Sequence, residues 1–191
     1  LVPHDGQRQD IPVPRDPWNG MLAHQGSLYL FGGVYPKYGR PRRAADLSVM
    51  GSLNDLWQFQ IRQGRWRLLA RDDGANDFRA GAQRPCGRVL PCWTEVSGKF
   101  YLFGGLTTLG AGWRMKLLND FWSYDPLTGQ WTLLEPDDGA VLKRERERDR
   151  PRPSTLAAMG AAVIGDTIYL YSGWGGTRSK VELSSHLWSF N

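Results

Sequence analysis

Short runs along this chain alternate apolar or aromatic residues with polar ones, and Gly, Pro, Asp or Asn interrupt them at close intervals. Alternation with period two sends side chains to opposite faces of extended backbone, so the pattern predicts antiparallel strands. The strands recur as sets. Leu28-Tyr-Leu-Phe-Gly-Gly33 precedes Leu53-Asn-Asp-Leu-Trp-Gln-Phe59, Phe100-Tyr-Leu-Phe-Gly-Gly105 precedes Leu118-Asn-Asp-Phe-Trp-Ser-Tyr124, and Ile168-Tyr-Leu-Tyr-Ser-Gly173 precedes Ser184-Ser-His-Leu-Trp-Ser-Phe190. Self-similarity at a fixed period signals a repeat architecture and outranks local propensity.

Spacing is tight where strands belong and loose where loops belong. Trp57, Trp122 and Trp188 recur at 65 and 66 residues, and Trp66 and Trp131 each follow nine residues after the first tryptophan of their unit. From the glycines to that first tryptophan the interval drifts, 24 residues after Gly33, 17 after Gly105 and 15 after Gly173, so one loop per unit absorbs the variation. In the second unit the alternation predicts strands over Pro91 to Val96, Lys99 to Gly104, Asp120 to Asp125 and Gln130 to Leu134, with turns at Ser97-Gly98 and Pro126 to Gly129. Trp122 and Tyr124 then share one face, as do Trp57 with Phe59 and Trp188 with Phe190. A four-stranded sheet of about 50 residues cannot cover both of its faces and must stack on its neighbours. Radial stacking of such sheets gives a propeller. Lacking Cβ, Gly32-Gly33 and Gly104-Gly105 let the chain leave the second strand at positive φ and come close to neighbouring backbone.

These residues resemble the kelch repeat family. The resemblance rests on Tyr-x-Phe-Gly-Gly, the later Trp-x-aromatic, the tryptophan nine residues on, and Arg84-Pro85 and Arg152-Pro153 ahead of the first strand. Ser172 in place of the first glycine of the pair, and a unit longer than the kelch norm, depart from the family. The resemblance implies an all-β fold of kelch-type β-propeller blades, about three of them, each with four antiparallel strands. Residues 1–19 then close a preceding blade and connect onward, 20–70 form the first blade, 71–85 a connector, 86–135 the second blade, 136–153 a charged connector, and 154–191 a third blade without its fourth strand. Structural positions are Gly32, Gly33, Trp57, Trp66, Gly104, Gly105, Trp122, Trp131, Gly173 and Trp188.

Leu1-Val-Pro-His-Asp-Gly6 aligns with Leu69-Ala-Arg-Asp-Asp-Gly74 and Leu134-Glu-Pro-Asp-Asp-Gly139, so the chain opens at the close of a fourth strand. Three blades do not close a ring of four to eight. Either they belong to a longer chain, the preferred expectation, or copies associate, with a six-bladed homodimer as the rival.

Composition adds little to this. Of the nine tryptophans the repeat accounts for five, and no run of 18 apolar residues encodes a membrane-spanning helix. No charged-then-apolar leader is visible at the start of the sequence. Cys86 and Cys92 lie about 20 Å apart if extended, too far for a disulfide unless Gly87 and Pro91 bend the chain sharply. Two cysteines without nearby histidines do not make a metal site. Sparse cysteine and the absence of an Asn-x-Ser/Thr acceptor favour an intracellular setting, cytoplasmic or organellar, over secretion.

Charge is more telling. Lys37, Arg40, Arg42 and Arg43 against Asp46 give the first loop between strands two and three +3, Arg114 and Lys116 give the second +2, and Arg178 and Lys180 against Glu182 give the third +1, whereas the whole chain carries +5. In a four-stranded antiparallel blade these loops emerge on the same side as the connectors to the next blade. The resemblance implies partner binding on that side, and a positive face suits an acidic protein segment or another anionic surface. Trp113 and Trp174 are candidate anchors beside the cations. Solvated connectors are the plain alternative reading of the same loops. Nucleic acid is disfavoured, because no stacking platform or recognition motif accompanies the basic residues.

The run Lys143-Arg-Glu-Arg-Glu-Arg-Asp-Arg150 alternates in sign and reads as a solvated excursion, and the connector Arg71 to Arg84 is also long, as if both reached outward. Catalysis has little support. His4, His24 and His186 sit in separate repeats, His186 replacing the Asp of Asn-Asp-x-Trp, and no glycine-rich stretch ends in the Lys-Ser/Thr of a phosphate loop. Glu182 and His186 only faintly echo the iron ligands of some kelch enzymes. The expectation is therefore a non-catalytic protein-interaction module without cofactor or metal. A structural accessory subunit of a larger assembly and, more remotely, a metal-dependent kelch enzyme are the alternatives.

Overall fold

The computed structural model describes residues 11–18, 20–36, 50–109, 115–139, 152–177 and 180–191. Among the described residues the regular structure is thirteen strands and a 3-10 turn at Ile61–Gln63. The first sheet orders β1 (Met21–His24), β2 (Ser27–Pro36), β3 (Met50–Gln60) and β4 (Arg65–Ala70) side by side, and the second does the same with β5 (Cys92–Val96), β6 (Lys99–Thr108), β7 (Met115–Asp125) and β8 (Gln130–Glu135). In the third unit β9 (Gly160–Ile164), β10 (Thr167–Tyr171) and β13 (Leu187–Phe190) form a three-stranded sheet, and β11 (Trp174–Thr177) pairs with β12 (Lys180–Leu183) as a separate hairpin. All pairings are antiparallel. The expected turns at Ser97-Gly98 and 126–129 are both present.

The glycine pair does something other than end the second strand. β2 and β6 run on for three residues beyond it, and their partners β3 and β7 begin correspondingly early, so the expected limits at Gly104 and Asp120 were too short. The pair is a bulge inside a continuing ladder, with register shifts between Phe31 and Gly33 and between Phe103 and Gly105. Gly32 and Gly104 adopt φ of +65° and +61°, and a Cβ on either would lie 2.7 Å or 2.6 Å from the carbonyl oxygen of Arg88 or Leu156 in the connector entering the next blade. In the third unit Ser172 holds the same left-handed conformation, φ +61°. There the ladder divides into β10–β13 and β11–β12.

Each blade stacks on the next through an aromatic layer. Tyr29, Phe31 and Leu56 of the first sheet pack against Trp93, Phe100, Leu102, Trp122 and Tyr124 of the second. The second sheet's other face, with Cys92, Val96, Phe103 and Phe121, packs on Leu156, Met159, Ile168 and Leu170 of the third unit. Trp131 completes the first junction, with its ring 5.7 Å from Trp93 in a stacked arrangement and 5.3 Å from Phe31. The period-two faces proposed for Trp122 and Tyr124 thus meet a neighbouring sheet.

Candidate functional site

Below the strand-two/strand-three loops lies a repeated polar scaffold. Asn54, buried in β3, donates from Nδ2 to Asp73 at 2.8 Å and to the Pro85 carbonyl at 3.1 Å, and its backbone N–H donates to Asp72. Asn119 in β7 repeats the set with Asp138, the Pro153 carbonyl and Asp137. The Asp-Asp-Gly signature that closes each fourth strand therefore exists to hold the Asn of Asn-Asp-x-Trp. Partial burial pushes the Asp73 carboxyl up, but bonds from the Ala75 N–H and Asn54, with the Arg84 ion pair, hold it below the usual carboxylate range.

The Asp of the same motif forms a second repeated device. Arg88 grips Asp120 with two bonds of 2.6 and 2.7 Å, and Trp122 Nε1 donates to Asp120 at 2.7 Å. Both ionic side chains are fully buried. Burial alone would depress the Arg88 pKa, but the charge and bonds of Asp120 hold it above its ordinary value. Arg15, Asp55 and Trp57 repeat the arrangement in the first blade. In the third blade the arginine position is Leu156 and the aspartate position His186, and Trp188 Nε1 is buried without a hydrogen-bond partner among the described residues. His186 is one half of a paired replacement. Sequence reading missed this triad, although Arg88 standing three residues after an Arg-Pro proline and two Asn-Asp-x-Trp copies were in view.

The face itself is only partly described. Lys37, Arg40, Arg42, Arg43, Trp113, Arg114 and Arg178 lie outside the described residues, and Lys180 contributes backbone to β12. Lys116 is placed, and it is engaged internally: its Nζ lies 2.8 Å from Asp77 and 2.9 Å from Asp137. Partial burial would lower its pKa, but those two carboxylates raise it. The connectors on this side are thus acidic where they meet the loop bases, a feature hidden when each loop's charge is summed alone. Trp174 is half exposed at the start of β11. The extended ends of the first two hairpins are joined, Ser52 N–H donating to Thr108 Oγ1 at 3.0 Å and Thr108 N–H to Ser52 Oγ at 3.1 Å.

The first connector does not reach outward, contrary to the expectation from its length. Gly87 N–H donates to the Ala75 carbonyl, Thr107 Oγ1 to the Asn76 carbonyl, and Arg84 binds Asp73, so this segment lies folded against both blades. The second connector's charged run, 143–150, falls outside the described residues. Cys86 and Cys92 are both free thiols, and both are buried. Burial raises the Cys86 pKa and pushes that of Cys92 up to about 12, the condition of inert packing thiols. Among the described residues no group of three or more His, Cys, Asp or Glu is arranged to hold a metal ion, and no helix is long and apolar enough to cross a membrane.

Four-stranded blades, a glycine bulge under each loop and Trp-bearing faces at each junction describe one repeat, and a model of the kelch motif matches residues 94–136, the second blade. The second blade is a kelch motif. Human host cell factor 2 is 26% identical over 180 residues, an alignment covering 91% of this chain and 19% of the human protein. The solved structure of YjhT shares the fold, with a TM-score of 0.52 at 17% identity over 87% of this chain and 36% of that one. The chain thus spans less than two thirds of the length of each.

Proposed function

We propose that this kelch region is a non-catalytic, intracellular protein-interaction module that presents its strand-two/strand-three loops to an acidic partner. The observation that carries the reading is the hairpin mount. In the first two blades each pair of strands continues past the glycine bulge, and Ser52 with Thr108 ties these two mounts side by side. Loops raised on coupled ladders are displayed on a fixed base, which lowers the ordering cost of binding. With Lys116 committed to Asp77 and Asp137, the contacting cations under this proposal are Lys37, Arg40, Arg42 and Arg43 of the first loop, with Arg114, Arg178 and Lys180 at the others, and Trp113 and Trp174 as aromatic anchors.

The test is fluorescence anisotropy with a labelled glutamate-rich peptide. Replacing Arg40, Arg42 and Arg43 together with Gln should weaken binding and flatten its dependence on salt, since exposed charges are screened. Unchanged affinity would sink the proposal. An accessory-subunit role that needs neighbours to order the connectors is less supported, because the 71–85 connector already has its hydrogen-bond partners within the chain.

A further inference from the structure

Between the outer strands of the first two blades, β4 and β8, lies a cleft of about 560 Å³, within the size range of small-molecule sites. One wall is a cross-strand row of the first blade, with Tyr29 registered on Gln58 and Gln58 on Arg67. The other is formed by Tyr124, Trp131 and the 126–129 turn of the second blade. Tyr29 sits near the start of β2 and Tyr124 near the end of β7, so the cleft lies at the opposite strand ends from the strand-two/strand-three loops. Among the described residues the charged side chains lining it are Arg67 and Arg84, and no carboxylate does.

The donors of this cleft are not used up within the chain. Tyr29 and Tyr124 are only 7% and 4% exposed. Tyr29 Oη accepts from Gln58 Nε2 at 3.1 Å, which leaves its own O–H to donate. Tyr124 Oη has no hydrogen-bond partner among the described residues and lies beside the turn, where a Cβ built on Gly129 would stand 3.9 Å away. A nearly buried hydroxyl without a partner calls for one. Burial raises both phenol pKa values and the charge of Arg67 only partly offsets the rise, so both hydroxyls keep their protons at neutral pH and Arg67 stands near both. Arg67 itself is exposed and makes no ion pair among the described residues, whereas Arg84 is committed to Asp73 and the Arg71 carbonyl. Asp125, next to Tyr124, accepts the Leu127 and Thr128 N–H groups of the turn and does not line the cleft.

We propose that this cleft is a carboxylate-binding site, in which Arg67 pairs with the acid and the Tyr29 and Tyr124 hydroxyls donate to its oxygens. Three donors lining one cleft, one of them cationic, suit a single anionic group. One free cation balances a monoanion, and a phosphate dianion would be left partly uncompensated. The apolar remainder of the lining selects the body that carries the acid. Trp131 and Leu69 line the same cleft, and Leu127, 90% exposed, belongs to its turn wall. The occupant is therefore an acid on an aromatic or branched apolar body, as a free molecule or as an acidic side chain beside an aromatic residue in a peptide.

Phenylpropionate, its uncharged amide, and a capped tetrapeptide with Phe next to Asp are titrated into the 191-residue chain and followed by proton–nitrogen correlation NMR. At least one of the two acids should move the amide signals of residues 68–70 and 128–131, the free acid alone marking a small-molecule site and the peptide alone a partner segment. Tyr124→Phe keeps the ring packed on Trp131 at 4.9 Å between centroids, and Arg67→Gln changes an exposed position, so both variants fold. Each should weaken binding about tenfold, through loss of a hydrogen bond to a charged group. Arg65→Gln, on the same strand but outside the cleft, should leave binding unchanged. No shift with either acid, an amide that binds as tightly as the acid, or indifference to Tyr124→Phe and Arg67→Gln would each overturn the proposal. Capture of an acidic partner by the loops does not use this cleft, so the two can fail separately. Equal weakening by the Arg40, Arg42 and Arg43 variant would assign the signal to the loops and overturn the cleft.

Discussion

Asp120→Ala should be among the most damaging single changes in this protein. The carboxylate is wholly buried, takes two bonds from Arg88 at 2.6 and 2.7 Å, and accepts the indole N–H of Trp122, itself 1% exposed. Removing it leaves a guanidinium with no exposed surface, still bonded to the Gly104 and Cys86 carbonyls but without a counter-charge. Breaking one side of a buried ion pair costs about 3–5 kcal/mol. At about 1.4 kcal/mol per tenfold, that is two to three and a half powers of ten in the folding equilibrium. Against a domain stability of roughly 5–15 kcal/mol, such a loss is visible as a large fall in the urea midpoint. Tryptophan fluorescence reports it directly, since Trp122 and Trp93 are both buried at the junction of blades one and two.

The same reasoning predicts that Arg88→Leu combined with Asp120→Leu costs less than Asp120→Ala alone, because an apolar pair of similar volume leaves no charge behind. Trp122 would lose its acceptor in the double variant, as Trp188 lacks one among the described residues. The result that refutes the argument is an Asp120→Ala chain within about 1 kcal/mol of the parent, the scale of a surface ion pair, or a double variant as unstable as the sum of its parts.

Two further outcomes are expected. Gly104→Ala should destabilise by about 2–5 kcal/mol, a left-handed backbone penalty plus overpacking against the Leu156 carbonyl, whereas Gly98→Ala, at φ +83° with open space around its Cβ, should cost about 1–2 kcal/mol; equal losses in urea titrations would mean the junction is not as close as drawn. For Cys92 the unfolded chain releases its proton near the ordinary thiol value of 9.0 while the folded chain keeps it until about 12, so there is no dependence below 9 and stability then declines by about 1.4 kcal/mol per pH unit between those limits. The difference in pH slope between parent and Cys92→Ala isolates this thiol, and identical slopes would contradict its burial.

The blades were legible in the sequence because sheet faces have a period and the tryptophans keep it. Trp57 with Phe59 and Trp122 with Tyr124 could be assigned to shared faces from spacing alone, and the structure puts Trp122 and Tyr124 on the inter-blade layer. The strand limits were not legible, since a glycine pair in sequence looks like an ending. Only the register of Gly105 on Leu118, following the shift after Phe103, shows it to be a bulge within a ladder. The internal engagement of Lys116 was hidden for another reason. Its partners Asp77 and Asp137 are 39 and 21 residues away in connectors on either side, and a loop-by-loop sum of charge cannot see across that distance. The first connector misled through its length, since its Asp73 serves the buried Asn54 and not solvent.

The third blade differs at three positions that belong to one mechanical unit. Leu156 stands where Arg15 and Arg88 stand, His186 where Asp55 and Asp120 stand, and Ser172 where Gly32 and Gly104 stand. In the first two blades these groups touch: Arg15 and Arg88 donate to the carbonyls of Gly32 and Gly104 while gripping their aspartates. An arginine kept without its aspartate would be an uncompensated buried charge, so the two are retained or lost together. Once the arginine is gone, the bulge carbonyl no longer has that donor, and the ladder of the third blade is divided at Ser172. The two bulges held by an arginine and the one altered bulge therefore follow from a single coupling between charge and backbone.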